Sequence, residues 1–255
     1  MSHSTDERRP ARAQHTKRKA ASERRPPATS SKQASTRDRL LAAAVAEFAQ
    51  HGFSGARVER ILSKARANPR MLYHHFGGKA GIYVSVLEEA LADLRRHELS
   101  LDVDRADPLD GLLQLFDFMN DHFESHPTLV SLFANENLLK ARFMRTSARI
   151  KEMSSPVLAM IARFILRGSE SGRLAAPLDP LRVYVLMVAL CQFHLSNVHT
   201  LSVIFDQDLT AATWREARKA DARRMLQSFL RAETPPGGGE GREMSKTPVG
   251  AGKLP

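Results

Sequence analysis

Between Asn68 and Lys79 the chain reads "NPRMLYHHFGGK", crowding two cations, two adjacent histidines and two aromatic rings into a short stretch. A solvated loop has no use for the rings, and a core has no place for the cations. A helix resolves the conflict. Asn68 can supply an N-cap oxygen, and Pro69 falls at the first helical position, where its missing N–H costs nothing. Leu72 and Phe76, four residues apart, then turn to the core, while Arg70, Met71, Tyr73, His74 and His75 spread over the remaining surface. Gly77 and Gly78 break the helix. Lys79 opens the next one, where its ammonium and the free N–H groups of the helix start can together hold a phosphate.

Upstream, "STRDRLLAAAVAEFAQHG" offers Ser35 or Thr36 as an N-cap, puts Leu40, Leu41, Ala44, Val45 and Phe48 on one stripe, and has Gly52 as its stop. "ARVERILSKA" places Val58, Ile61 and Leu62 on one side of a short second helix. The pair over 57–65 and 69–75 has the spacing of a helix-turn-helix, whose second helix lies in the DNA major groove. Arg57 opens the first helix of the pair and adds positive charge at the groove. Arg66 lies in the turn, and if that position needs a positive φ it costs about 1 kcal/mol relative to glycine.

From Arg37 to Tyr83 the sequence resembles the DNA-binding domain of TetR-type transcriptional regulators, through the blocks "AAVAEFAQHGF" and "LYHHFGGK" and their separation. The resemblance implies that Tyr73 and Lys79 anchor phosphates and that the helix from Pro69 to His75 reads bases. Arg57 and Arg66 depart from the threonine and glycine that many members carry there. The expected DNA-contacting set is therefore Arg57, Asn68, Arg70, Met71, Tyr73, His74, His75 and Lys79.

The rest of the chain fits a regulator's composition. Its 255 residues carry 42% hydrophobic side chains, enough for a sizeable core, and a net charge of +10 points to a polyanionic partner. Nine Lys or Arg against three acids in residues 1–35 supply +6 of that charge with almost no large apolar side chains, so 1–34 is expected to be a disordered basic tail. Residues 233–255 are Pro/Gly-rich and expected to be a flexible end. A DNA-binding domain over 35–80 and a helical ligand-binding and dimerisation domain over 81–232 lie between them. The longest uniformly apolar run, Val183 to Cys191, is about half of the ~20 residues a membrane span needs. No membrane partner is expected. A single cysteine and no secretory signal suggest a reducing, cytoplasmic setting.

Helical spacing continues through "DPLDGLLQLFDFMNDHFESHP", "PTLVSLFANENLLKARFM", "PVLAMIARFILRGSESGRL", "DPLRVYVLMVALCQFHLSNVHTLSVIF" and "TAATWREARKADARRMLQSFLRA". Nine helices and no strand are expected, an all-α protein. "VYVLMVALC" is apolar around its circumference, a pattern expected of a helix with one face on the core and another on a second subunit, and shared by the central helix of a monomer. The resemblance likewise implies a homodimer through the last two helices, with Val185, Met187, Val188, Trp214 and Phe229 at the interface. It also implies a small-molecule cavity in the C-terminal domain. Polar residues inside apolar helices, His122, Asn137, Gln192, His194 and Asn197, and the apolar Phe116, Met119, Phe123 and Phe133 are the candidates for its wall.

No cofactor, metal or enzymatic site is expected. Cys191, His194 and His199 lack a paired cluster, and His122 and His126, although i, i+4, lack the metalloprotease glutamate and are separated geometrically by Pro127. The expected function is a transcriptional regulator, a repressor leaving a palindromic double-stranded operator when an effector binds. An effector-independent architectural DNA-binding protein is the alternative.

Overall fold

The computed structural model describes residues 35–231, with 101, 103, 104 and 176 excepted, so both expected tails lie outside the described residues. The described residues form ten α-helices and one 3-10 turn: α1 Thr36–Gly55, α2 Val58–Ala65, α3 Pro69–Phe76, α4 Lys79–Glu98, α5 Pro108–Ser125, α6 Pro127–Leu138, the turn Met144–Thr146, α7 Ala148–Glu152, α8 Ser155–Glu170, α9 Pro180–Ile204 and α10 Ala212–Leu230. The one extended pairing among them is an isolated antiparallel bridge between Leu174 and Arg231.

Local chemistry sets the first three helices. Ser35 and Asp38 form a reciprocal capping box at the start of α1. At Gly52 the backbone turns to φ 62° and the helix kinks before ending at Gly55; a side chain there would also lie 2.9 Å from the Asn135 amide oxygen of α6. Asn68 caps α3 by accepting from the Met71 N–H at 3.0 Å, and Gly77 ends it at φ 71°. Leu40, Phe48, Ile61 and Leu72 are fully buried where the three helices meet.

The helical body corrects the expected element count. The segment read as one helix from Pro127 to Met144 stops at Leu138, and Lys140 and Ala141 take positive φ. The cause is Glu136, 1% exposed, whose carboxylate accepts from the Phe143 N–H at 2.7 Å and the Met144 N–H at 2.9 Å. Two buried amides that would have continued the helix are satisfied by a side chain, so the chain reverses. Ser147 then caps the start of α7, its hydroxyl accepting from the Ile150 N–H and donating to Glu88 of α4.

The expected apolar run also proves too short. Helix α9 spans 25 residues and is long and apolar enough to cross a membrane by length and composition alone. Its inner stripe, Val183, Met187, Cys191 and His194, is buried against the body, where α9 packs on α5, α6 and α8. Helix α10 is held to α5 by a polar ladder: Arg218 to Asn120 at 3.0 Å, Lys219 to Asp121, and Arg223 to Asp117 at 3.0 Å. Acids one turn apart on α5 meet bases one turn apart on α10.

Candidate nucleic-acid interface and effector cavity

Helix α3 presents the polar face that its sequence requires. Leu72 is fully buried and Phe76 half-buried, while Arg70, Tyr73 and His74 are exposed and Met71 and His75 are partly so. Tyr73 is 61% exposed, and its ring lies beside Gly78, where a Cβ would stand 3.6 Å from the ring edge. Lys79 opens α4 with its ammonium 4.8 Å from the centre of the Phe53 ring, which steadies the cation beside the helix start. Asn68 spends its side-chain oxygen on the helix cap.

Two departures at the turn acquire physical explanations. Arg57 provides no side-chain cap for α2; its own N–H donates to Glu47 at 2.9 Å, and Glu47 also accepts from Arg60 at 2.7 Å. The Arg60 guanidinium holds the Glu47 carboxyl below its usual range. The Arg57 guanidinium is left exposed at the surface. Arg66 adopts φ 49°, ψ 51°, the left-handed conformation that glycine takes without cost. Sequence reasoning missed Glu47, Arg60 and Arg39, which donates to the Ala65 carbonyl at 3.2 Å and pins α1 to the end of α2. The "VERILSK" spacing showed only an exposed arginine, and its partner lies thirteen residues away on another helix.

Helix α4 connects this head to the body without a break. The expected boundary at 80/81 falls inside it, and Tyr83 packs against Phe48 at 4.7 Å, Phe53 at 5.2 Å and Phe143 at 5.1 Å between ring centres. At its far end Arg95 pairs with Glu98 and donates to the Tyr184 hydroxyl at 2.6 Å, and Tyr184 donates to Glu98 at 3.2 Å. Burial pushes the Glu98 carboxyl up, against the pull of Arg95. This largely buried triad ties the end of α4 to α9, although the Arg95 Nε makes no hydrogen bond among the described residues.

Helix α9 has a second face. Leu181, Val185 and Phe193 are exposed at 54%, 56% and 64%, one helical turn or two apart, and Met225 and Phe229 of α10 are exposed as well. Of the five expected interface residues, Val185 and Phe229 are exposed and Val188 and Trp214 half-buried. Met187 is fully buried in its own protomer's core and is corrected to a core residue. It follows Val183 by four positions and therefore shares the inner stripe.

The nine expected cavity residues are not brought to one wall. Phe116 and Met119 are fully buried core, Asn137 is exposed, and Phe133, Gln192 and Asn197 are half-buried. Asn197 donates to the Phe193 carbonyl of its own helix at 2.8 Å. His122 lines a cavity of about 450 Å³ together with Arg37 and Leu41 of α1, Asp93 of α4 and Leu132 of α6. Phe123 lines another, of about 300 Å³, between α5, α6 and α9. His194 is buried beside Trp214, both ring nitrogens lacking a hydrogen bond. Desolvation, with Arg218 and Arg215 nearby, pushes its pKa down to about 4, and Glu124 at 3.9 Å does not offset this. Burial pushes the Cys191 thiol up to about 12, so no thiolate is available. Among the described residues, the three-member cluster of metal-ligating side chains is Asp93, His122 and His126, rather than one built on Cys191 and His194.

Comparison with known proteins matches this architecture at both ends. Residues 40–86 match the family described as bacterial regulatory proteins, tetR family, and residues 108–226 match the tetracyclin repressor-like C-terminal domain. The chain is 36% identical over 174 residues to the HTH-type transcriptional repressor NicS of Pseudomonas putida, covering 68% of this chain and 82% of NicS. It is 40% identical over 103 residues to the HTH-type transcriptional repressor SCO4008 of Streptomyces coelicolor, 40% of this chain and 50% of that one. Among solved structures, the putative transcriptional regulator SCO4942 of Streptomyces coelicolor superposes with a TM-score of 0.59 at 26% identity, over 78% of this chain and 99% of that chain.

Proposed function

We propose that this chain, which belongs to the TetR family of bacterial regulatory proteins and is a DNA-binding transcriptional regulator, represses transcription as a homodimer that a small-molecule effector releases from a palindromic operator. The observation that carries the reading is the unbroken α4, which begins at Lys79 in the reading head and ends at the Arg95–Glu98–Tyr184 triad on α9. A helix fixed at both ends transmits displacement rather than absorbing it. The cavity lined by His122 lies along α4, between it and α1, so an occupant there favours one placement of the head over another. Two heads must meet successive major grooves about 34 Å apart, and a changed spacing lowers affinity without unfolding either head.

In this reading Arg70, Met71, His74 and His75 face base edges, and Arg57, Tyr73 and Lys79 hold the backbone. Asn68 acts by fixing the start of α3. The exposed stripe of α9 and the outer face of α10 form the dimer interface through Val185, Val188, Trp214 and Phe229. The regulatory role places the protein in the cytoplasm with its DNA and assigns it no catalysis. A nuclease footprint over the promoter of the neighbouring genes tests the proposal. Protection of a short palindrome is expected, and protection that spreads without sequence preference would instead establish the architectural alternative.

A further inference from the structure

We propose that Asp93, His122 and His126 form a binding site for a divalent transition-metal ion of the zinc class. Pro127 does remove His126 from helical geometry, at φ −122° and ψ 64°. The ring nevertheless folds back onto His122, with the two ring centres 4.0 Å apart and the planes 16° from parallel. Both imidazoles face the carboxylate of Asp93 on the neighbouring helix α4. Asp93 Oδ2 lies 3.9 Å from the Nε2 atoms of both His122 and His126. That distance exceeds hydrogen-bond reach, so the three groups converge without satisfying one another.

Hydrogen bonds orient two of the three donor residues, His126 and Asp93. His126 Nδ1 lies 2.8 Å from the His122 carbonyl oxygen. The Ser125 hydroxyl lies 3.0 Å from the same Nδ1; with the proton on Nδ1 the carbonyl, which can only accept, is served and Nε2 presents its lone pair. Asp93 Oδ1 accepts from Arg96 Nη2 at 2.8 Å, which orients the carboxylate and leaves Oδ2 toward the histidines. His122 is 5% exposed, and its Nε2 faces the Asp93 carboxylate. His97, one turn further along α4, has its Nδ1 2.9 Å from the Asp93 carbonyl oxygen and its ring stacked on Phe118. It backs the site without belonging to the donor set.

The spacing suits coordination after a small closure. The three ligand atoms lie within 4.8 Å of one another. An ion in the plane of the three atoms and equidistant from them sits about 2.5 Å from each, and farther if it rises out of that plane, against roughly 2.0–2.2 Å for zinc bonds to nitrogen and oxygen. The exposed His126 ring can supply that closure by tilting out of its stack. Two imidazoles and one carboxylate favour zinc, nickel or copper over magnesium or calcium, which take oxygen shells. Three protein ligands leave a fourth position, and all three residues line the cavity of about 450 Å³ that Arg37 and Asp38 of α1 also line. The inference rests on the regulator reading only for the significance of that position; ion binding can be measured without DNA or effector.

The experiment uses the full-length protein, stripped with a chelator and titrated with Co²⁺ alone, then with Zn²⁺ in competition. One Co²⁺ per protomer with a visible d–d band, displaced by Zn²⁺, is expected. His126→Ala and Asp93→Asn should each weaken binding about 100-fold or more, the least expected when a ligand rather than its supporting partner is lost. His199→Ala, on the exposed end of α9, should leave it unchanged. Because His126 is on the surface, circular dichroism should show that its variant folds. No d–d band, or the same affinity in the folded His126→Ala variant as in the wild type, overturns the site. Either result leaves the operator footprint untouched, so failure here is distinguishable from failure of the regulator reading.

Discussion

The reading head and helix α9 both expose side chains that a folded surface usually treats differently, and they do so for opposite reasons. In the head, Arg70, Tyr73 and His74 project from an eight-residue helix whose start and stop are written locally in Asn68 and Gly77. Those groups are well solvated, and the head is complete in water before any DNA arrives. Helix α9 exposes Leu181, Val185 and Phe193 along one side while its opposite side is core. Water solvates that stripe poorly, so it is complete only when covered. Exposed polarity suits a surface that meets a ligand from water, and exposed apolarity suits one that, in the proposed dimer, a partner covers.

Giving α9 the charge of the head should have the largest effect. Val185→Glu would place two like charges near the twofold axis and desolvate both, a penalty of several kcal/mol. Light scattering should show monomers, and operator affinity should collapse while the circular dichroism of the helices persists. A wild-type chain that is monomeric at micromolar concentration yet binds its palindrome tightly would remove the premise.

Next in size is the body's unpartnered histidine. His194 is neutral in the fold with a pKa near 4, below its unfolded value near 6.5. Its contribution is therefore intact above the unfolded pKa and is lost as pH falls from there through the folded pKa. Between about pH 7 and pH 5 this amounts to roughly 2 kcal/mol. Denaturant titrations of wild type and His194→Gln should show a shallower pH dependence in the variant; equal slopes would mean that His194 protonates without cost.

The head should respond in binding rather than in folding. Arg70→Ala should cost about 1–3 kcal/mol on the operator and relax base preference, whereas Lys79→Ala should weaken all sequences alike and flatten the salt dependence. Equal loss on operator and random DNA for Arg70→Ala would move that residue to the backbone set. The smallest expected change is a gain. Arg66→Gly should stabilise the head by about 1 kcal/mol by relieving the left-handed backbone, with thermal melting as the readout, and it should lower DNA affinity slightly through the lost charge.

The sequence by itself determined the all-helical class, the helix-turn-helix and the rim of the head, because caps, prolines, glycines and helical periodicity act within a few residues of where they are written. Asn68 with Pro69, and Asp107 with Pro108, start helices as their spacing requires. Only the tertiary structure decided where α6 stops, which side of α9 is core and which histidines meet. Glu136 ends α6 because burial forces its carboxylate onto the amides of Phe143 and Met144. Met187 belongs to the core and Val185 to the outer stripe because α5 and α8 lie on one side of α9, a choice that a helix apolar all round does not encode. His126 reaches His122 and Asp93 although a proline breaks its helix, because a side chain at a helix end is placed by what it packs against as much as by its backbone. Short-range rules come from covalent geometry and hydrogen bonding along the chain, while long-range ones come from desolvation, which depends on neighbours that sequence distance does not reveal.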